Sequence, residues 1–215
     1  MKPIIAKRLL TIIYIVGVLG FIFEQTQNLM QSLTASTILF SAVFLLFYHN
    51  DWSIGFLVSG ILIASTGFLI EYIGIETGLV FGRYIYGNTL GLKLLNVPIL
   101  IGLNWFVLVY CSRNISQFIT KNKWMQIILG SLLMTAYDYA LEPFAQKYDL
   151  WTWNSGTIPI HNFIGWFLVS IVIHSVYINS KKQNPNPIAS FLFLVQLLFF
   201  AIIGFYHQIF PYTPL

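Results

Sequence analysis

Charge is what this chain has least of. Only 8% of its 215 residues are Asp, Glu, Lys or Arg, against roughly a quarter in an average soluble domain. So few charges cannot cover a water-soluble globule of this length, and that class is excluded. Cysteine is almost missing: Cys111 stands alone, which excludes an internal disulfide and any cysteine metal cluster. Its ordinary reading is a small apolar packing residue. The four histidines, His49, His161, His174 and His207, make no metal-binding spacing with a carboxylate or with each other, so no metal is expected. Basic tracts are lacking too, because the net charge of +4 comes from scarce acids, and nucleic acid has no footprint here. Neither G-x-G-x-x-G nor G-x-x-x-x-G-K-[ST] occurs. No long linker or low-complexity segment divides the chain, and residues 1–215 read as one domain.

What the chain does have is apolar surface. Hydrophobic residues make up 57%, aromatics 17%, and the mean hydropathy is +0.76. Seven stretches with few or no charges read as membrane spans: residues 9–23, 33–48, 54–70, 97–111, 125–141, 163–178 and 188–206. The predicted fold class is an all-α polytopic transmembrane helix bundle of about seven spans. Several stretches are short for a span, and uncharged flanks such as Asn28–Ser32 or Ile158–Pro159 lengthen them. The first follows Lys2, Lys7 and Arg8 and resembles a signal peptide, but no Ala-x-Ala site follows Phe23, which favours an uncleaved anchor. With the N-terminus inside, the inner segments hold Lys2, Lys7, Arg8, Arg113, Lys121, Lys123, Lys181 and Lys182. The outer ones hold Arg83, Lys93 and Lys147. That asymmetry fits the positive-inside rule and places the N-terminus in the cytoplasm and the C-terminus outside.

The acids are sorted by this topology. Asp51 alone lies at an inner turn, and Glu24, Glu71, Glu76, Asp138, Glu142 and Asp149 fall at outer helix ends or in outer loops. Asp138 follows an uncharged run from Met125 to Tyr137. An ionisable group at that depth costs roughly 2.5–3.5 kcal/mol on insertion scales and is a functional candidate by default. Glu142 lies four residues on, on the same helical face. Two carboxyls so close in an apolar setting favour one that keeps its proton, as an acid catalyst requires. Pro143 biases Glu142 away from α geometry, so the fifth helix is expected to end there. Glu71 and Glu76 terminate the third stretch, and an aromatic loop carrying Tyr84 and Tyr86 is expected to fold back onto the helices. Arg83 reads equally as a partner for one of the acids or as a surface arginine. Trp151 has the ordinary explanation of an interfacial aromatic belt.

Together these residues resemble a family, the carotenoid-biosynthesis membrane proteins of the CruF type, hydratases of the acyclic carotenoid end group. The resemblance lies in an ordered set over about residues 71–166. It comprises Glu71-x-x-Gly74-x-x-x-Gly78, Phe81-Gly82-x-Tyr84-x-Tyr86, Val97-Pro98, Trp105, Asp138-x-x-x-Glu142-Pro143, Trp151-x-Trp153 and Pro159-x-x-Asn162-Phe163-x-Gly165-Trp166. It implies hydration of a terminal carbon–carbon double bond to a tertiary alcohol, without a cofactor. Protonation of such an alkene gives a tertiary carbocation, which water captures. On that reading Asp138 or Glu142 donates the proton, and Glu71 or Glu76 orients or deprotonates the water. Tyr84, Tyr86, Trp105, Trp153 and Trp166 line the substrate or face the cation, and Asn162 positions water. The implied partners are a lipid-soluble carotenoid, membrane lipid and other enzymes of the same pathway; the implied location is a bacterial inner membrane. An end-group cyclase, a proton-coupled carrier and a scaffold without chemistry are the alternatives.

Overall fold

The structure is a computed structural model that describes residues 1–177 and 185–209. Among these residues the chain forms seven helices: α1 (Pro3–Ile22), α2 (Glu24–Phe47), α3 (Ile54–Thr77), α4 (Ile99–Ile119), α5 (Lys123–Lys147), α6 (Ile160–Tyr177) and α7 (Ala189–Ile209). Four short strands accompany them: β1 (Tyr84–Tyr86), β2 (Lys93–Leu94), β3 (Val97–Pro98) and β4 (Trp151–Trp153). All the helices but α5 are long and apolar enough to cross a membrane, six in all. This is an integral multi-pass membrane protein. The helix that hydropathy passes over, α5, carries Asp138 and Glu142 and packs against α4, α6 and α7. Gln126, Ser131, Asp138 and Glu142 on it are buried against protein, so lipid sets no limit on them.

Local signals fix several ends. The Ser53 hydroxyl accepts the Phe56 N–H at 3.3 Å at the start of α3, and Asn122 Oδ1 accepts the N–H groups of Trp124 and Met125 at the start of α5. At the far end of α3, Gly78 has φ +69° and its N–H returns to the Gly74 carbonyl, a left-handed cap that glycine adopts without a Cβ penalty.

Three expected boundaries differ. The second span begins at Glu24, not near residue 33, because α1 and α2 join through Phe23 alone. Thr26 and Gln27 donate to the Gly20 and Phe21 carbonyls and so satisfy the end of α1. The fifth helix does not stop at Glu142: Pro143 lies inside it. Phe144 and Ala145 are buried, and Phe144 packs edge-on against Phe21 at 4.8 Å. That packing carries the helix past a proline that a soluble helix would reject. The third difference is at the fourth span, expected to end at residue 111. It runs on to Ile119, so Arg113 lies within α4, buried, with its guanidinium 4.2 Å from the Tyr177 ring centroid. Ile178, Lys181 and Lys182 of the sequence reading lie outside the described residues.

Contacts between ends confirm the up-and-down order. Tyr48 Oη, after α2, donates to the Met1 carbonyl at 3.0 Å, and Asn186 Nδ2 donates to the Leu45 carbonyl at 2.9 Å. At the opposite end Tyr148 Oη donates to the Phe21 carbonyl at 3.0 Å. There β1 and β4 pair antiparallel, Tyr84 opposite Trp153 and Tyr86 opposite Trp151. Alternation turns Tyr84, Tyr86, Trp151 and Trp153 inward and leaves Ile85 and Thr152 outside. The α3–α4 and α5–α6 connections thus form one ribbon over this end of the bundle. Beside it β2 and β3 make a tight hairpin with Leu95 and Asn96 at φ +52° and +64°, the signs of a type I′ turn.

Candidate active site

Under the ribbon three carboxyls are buried together: Glu71 on α3, Asp138 and Glu142 on α5. Each is held by its own donors. Glu71 Oε2 accepts the hydroxyls of Tyr84 and, at 2.8 Å, Tyr86, while Oε1 accepts Trp105 Nε1 at 3.0 Å. Glu142 Oε2 accepts Trp153 Nε1 at 2.8 Å and Trp151 Nε1 at 3.2 Å. Asn162 Nδ2 bridges the α5 pair, donating to Asp138 Oδ2 at 2.6 Å and to Glu142 Oε1 at 3.1 Å. Between two carboxyls only the amide NH₂ can point inward. Asp138 Oδ1 has no hydrogen-bond partner among the described residues, although it is fully buried.

Strand geometry explains the donors. Tyr-x-Tyr and Trp-x-Trp repeat at two residues, so both members of each pair reach the same side of the ribbon. Burial first, and then the Glu71 carboxylate beside them, push the Tyr84 and Tyr86 phenols well above the usual tyrosine range. Both therefore remain O–H donors at neutral pH. Below them the Trp105 and Trp166 indoles stack with centroids 4.3 Å apart and planes at 9°. Gly67 makes room, since a methyl group there would overlap the Trp105 indole.

Glu71 and Glu142 face a pocket of about 20 Å³, also walled by Trp105, Asn162 and Trp166. That is room for on the order of one water molecule. Asp138, one turn earlier on α5, does not line it. Glu76, the fourth acid of the sequence reading, is exposed at the C-terminal end of α3 and is not part of the cluster. Tyr84, Tyr86, Trp105, Trp153, Asn162 and Trp166 all come together here. Asn162 directs its NH₂ to the two α5 carboxyls. No group of three or more His, Cys, Asp or Glu able to hold a metal occurs among the described residues.

Two contributors were not singled out by the sequence. Trp151, read as a belt residue, is a carboxyl donor; its period-two spacing from Trp153 was the available signal. Asn104 lines the pocket and also a larger cavity beyond it. A lone amide in the apolar first turns of α4 was its signal.

Comparison with known proteins adds a family. The model of the family described as "Carotenoid biosynthesis protein" matches residues 14–212, from within α1 to beyond α7. No curated protein and no solved structure matches the chain.

Proposed function

Because the chain belongs to the carotenoid biosynthesis protein family and so has a role in carotenoid biosynthesis, we propose that it adds water to the terminal double bond of an acyclic carotenoid. The observation that carries this reading is the pairing of Asp138 and Glu142 on one amide, with Glu142 on the wall of a pocket of single-water size. Two buried carboxyls that meet at one amide are held at lower cost with one proton between them than as two like charges. A neutral carboxyl also leaves the orphaned Asp138 Oδ1 less costly than an anion would.

Glu142, which faces the pocket, delivers that proton to the less substituted alkene carbon, and the π pair becomes the new C–H bond. The tertiary cation left on the neighbouring carbon lies against indole faces, where each cation–π contact contributes about 0.5–2 kcal/mol. Water attacks the cation through an oxygen lone pair. Glu71, on another wall of the pocket, accepts the proton that the new C–O bond releases. Return of that proton from Glu71 to Glu142 restores the site, so the net change is one water added, with no electron gained or lost. Three donors hold Glu71 as a fixed acceptor, so little reorganisation is needed as charge moves. The N-terminus lies in the cytoplasm on this reading, and the pocket lies at the opposite face of a bacterial inner membrane.

The test is expression of this chain alone in cells making an acyclic carotenoid, followed by chromatography and mass measurement. A product heavier by one water is expected. Glu142→Gln should reduce its formation by about 10²–10⁴-fold, the usual contribution of a general acid, while protein level in the membrane is unchanged. A ring-closed product of unchanged mass would make the chain a cyclase, and full turnover by the variant would remove Glu142 from the chemistry.

A further inference from the structure

The acid pocket is far too small for a polyene, yet it does not end blindly. A second cavity of about 280 Å³ lies between α1, α2, α4, α5 and α7. The two cavities share Ile101, Asn104, Leu141 and Trp151 as walls. On α5 the division is helical: Tyr137, Leu141 and Phe144 turn to the larger cavity, while Asp138 and Glu142 turn to the smaller cluster. The rest of the larger lining is almost wholly aliphatic or aromatic. Its few polar groups are largely engaged with the protein, as Gln196 Nε2 donates to Tyr14 Oη at 2.8 Å and Thr34 to the Met30 carbonyl at 3.1 Å.

The cavity also reaches the outside. Ile12 and Val16, one turn apart on α1, and Leu33 on α2 line it and are at the same time exposed. In a membrane these positions face acyl chains, so the opening between α1 and α2 is a side door to lipid. A third cavity, of about 190 Å³ between α3 and α6, shares no lining residue with the acid pocket.

We propose that the cavity between α1, α2, α4, α5 and α7 is the binding chamber for the hydrocarbon chain of an acyclic isoprenoid polyene. It enters laterally between α1 and α2 and passes only its end through the neck at Asn104, Leu141 and Trp151. This assignment rests on the carotenoid reading above, but it concerns binding and is tested apart from catalysis. An apolar ligand needs an apolar, preformed cavity with few polar groups, each at a place where it orients the ligand. The chamber has that character, and its amide, Asn104, stands at the neck.

The experiment uses the full chain purified in detergent and loaded with an acyclic carotenoid, the retained pigment being read by absorbance. Four proteins are compared: wild type, Thr34→Trp and Ile13→Trp, which fill the chamber from α2 and α1, and Thr66→Trp, which fills the cavity between α3 and α6. Wild type and Thr66→Trp should retain pigment. The two chamber variants should retain about tenfold less, the low end of an overpacking penalty expressed as affinity. Elution as a single sharp species, with wild-type thermal unfolding, identifies the chamber variants that fold. A folded variant of either chamber position that keeps wild-type pigment overturns the proposal, as does wild type that retains none. Pigment held in the chamber without any hydrated product would overturn the reaction and leave the chamber. Normal hydration by a filled variant would overturn the chamber and leave the reaction.

Discussion

Glu71 shows how closely a buried carboxyl can be specified by its neighbours. Three donors converge on its two oxygens, and an amide offers an acceptor at only one. Glu71→Gln must therefore turn its NH₂ toward at least one donor. Tyr84→Phe only deletes one. Losing a hydrogen bond to a charged group costs about 1.5–3 kcal/mol, so Tyr84→Phe should lose that much stability by thermal or denaturant unfolding in detergent. Glu71→Gln should lose more, and Glu76→Gln, on an exposed residue, almost nothing. The two phenols have raised folded values. Their contribution is therefore full below about pH 10, where an unfolded tyrosine begins to ionise, and declines as the pH climbs toward those folded values. The acids were legible in the sequence because a charge within an apolar run has no cheap explanation. Trp151 was not, because a tryptophan near a membrane surface has one. Asn104 was missed because an uncharged amide costs less in a span than a charge does.

At the level of elements, the helices could be read and the ribbon could not. Apolar length is a local property, visible in any window, whereas β1 and β4 are three residues each and find each other across α4 and α5. Nothing local announces such a partner. The motifs Tyr84-x-Tyr86 and Trp151-x-Trp153 carried the period of a strand but not its pairing. Pro143 misled for a related reason: its local bias is real, and packing of Phe144 and Ala145 overrides it. The β2–β3 hairpin permits a stability prediction. Leu95 occupies the left-handed region at φ +52°, which costs a residue with a Cβ roughly 1–2 kcal/mol. Asparagine tolerates this region better than leucine. Leu95→Asn should raise stability by about 0.5–1 kcal/mol, seen as a higher thermal midpoint with unchanged carotenoid products. A lower midpoint would mean that the leucine side chain, though exposed, contributes contacts that outweigh its backbone strain.

On the scale of the whole molecule, the order of the seven helices and the meeting of Glu71, Asp138 and Glu142 at one end of the bundle follow the sequence reading. Charge scarcity and basic asymmetry both act over the full chain, so neither depends on a precise boundary. Orientation in a membrane is open to a direct check. The chain's one cysteine, Cys111, is buried, so single cysteines introduced at Ile85 and Lys121 report separately. In intact inner-membrane vesicles of known sidedness, a membrane-impermeant thiol reagent should modify the two from opposite sides, position 121 from the cytoplasmic one. Labelling of both from one side would reject the alternating course of the chain.

The ribbon has a bearing on biogenesis as well. Its first strand leaves the ribosome long before its second, and α4 and α5 must be made between them. Until β4 arrives, Glu142 has neither indole to hold it and Glu71 lacks the roof over its phenols. Asn162, which bridges Asp138 and Glu142, comes later still, on α6. The carboxyl cluster is therefore complete only once both strands and α6 are in place.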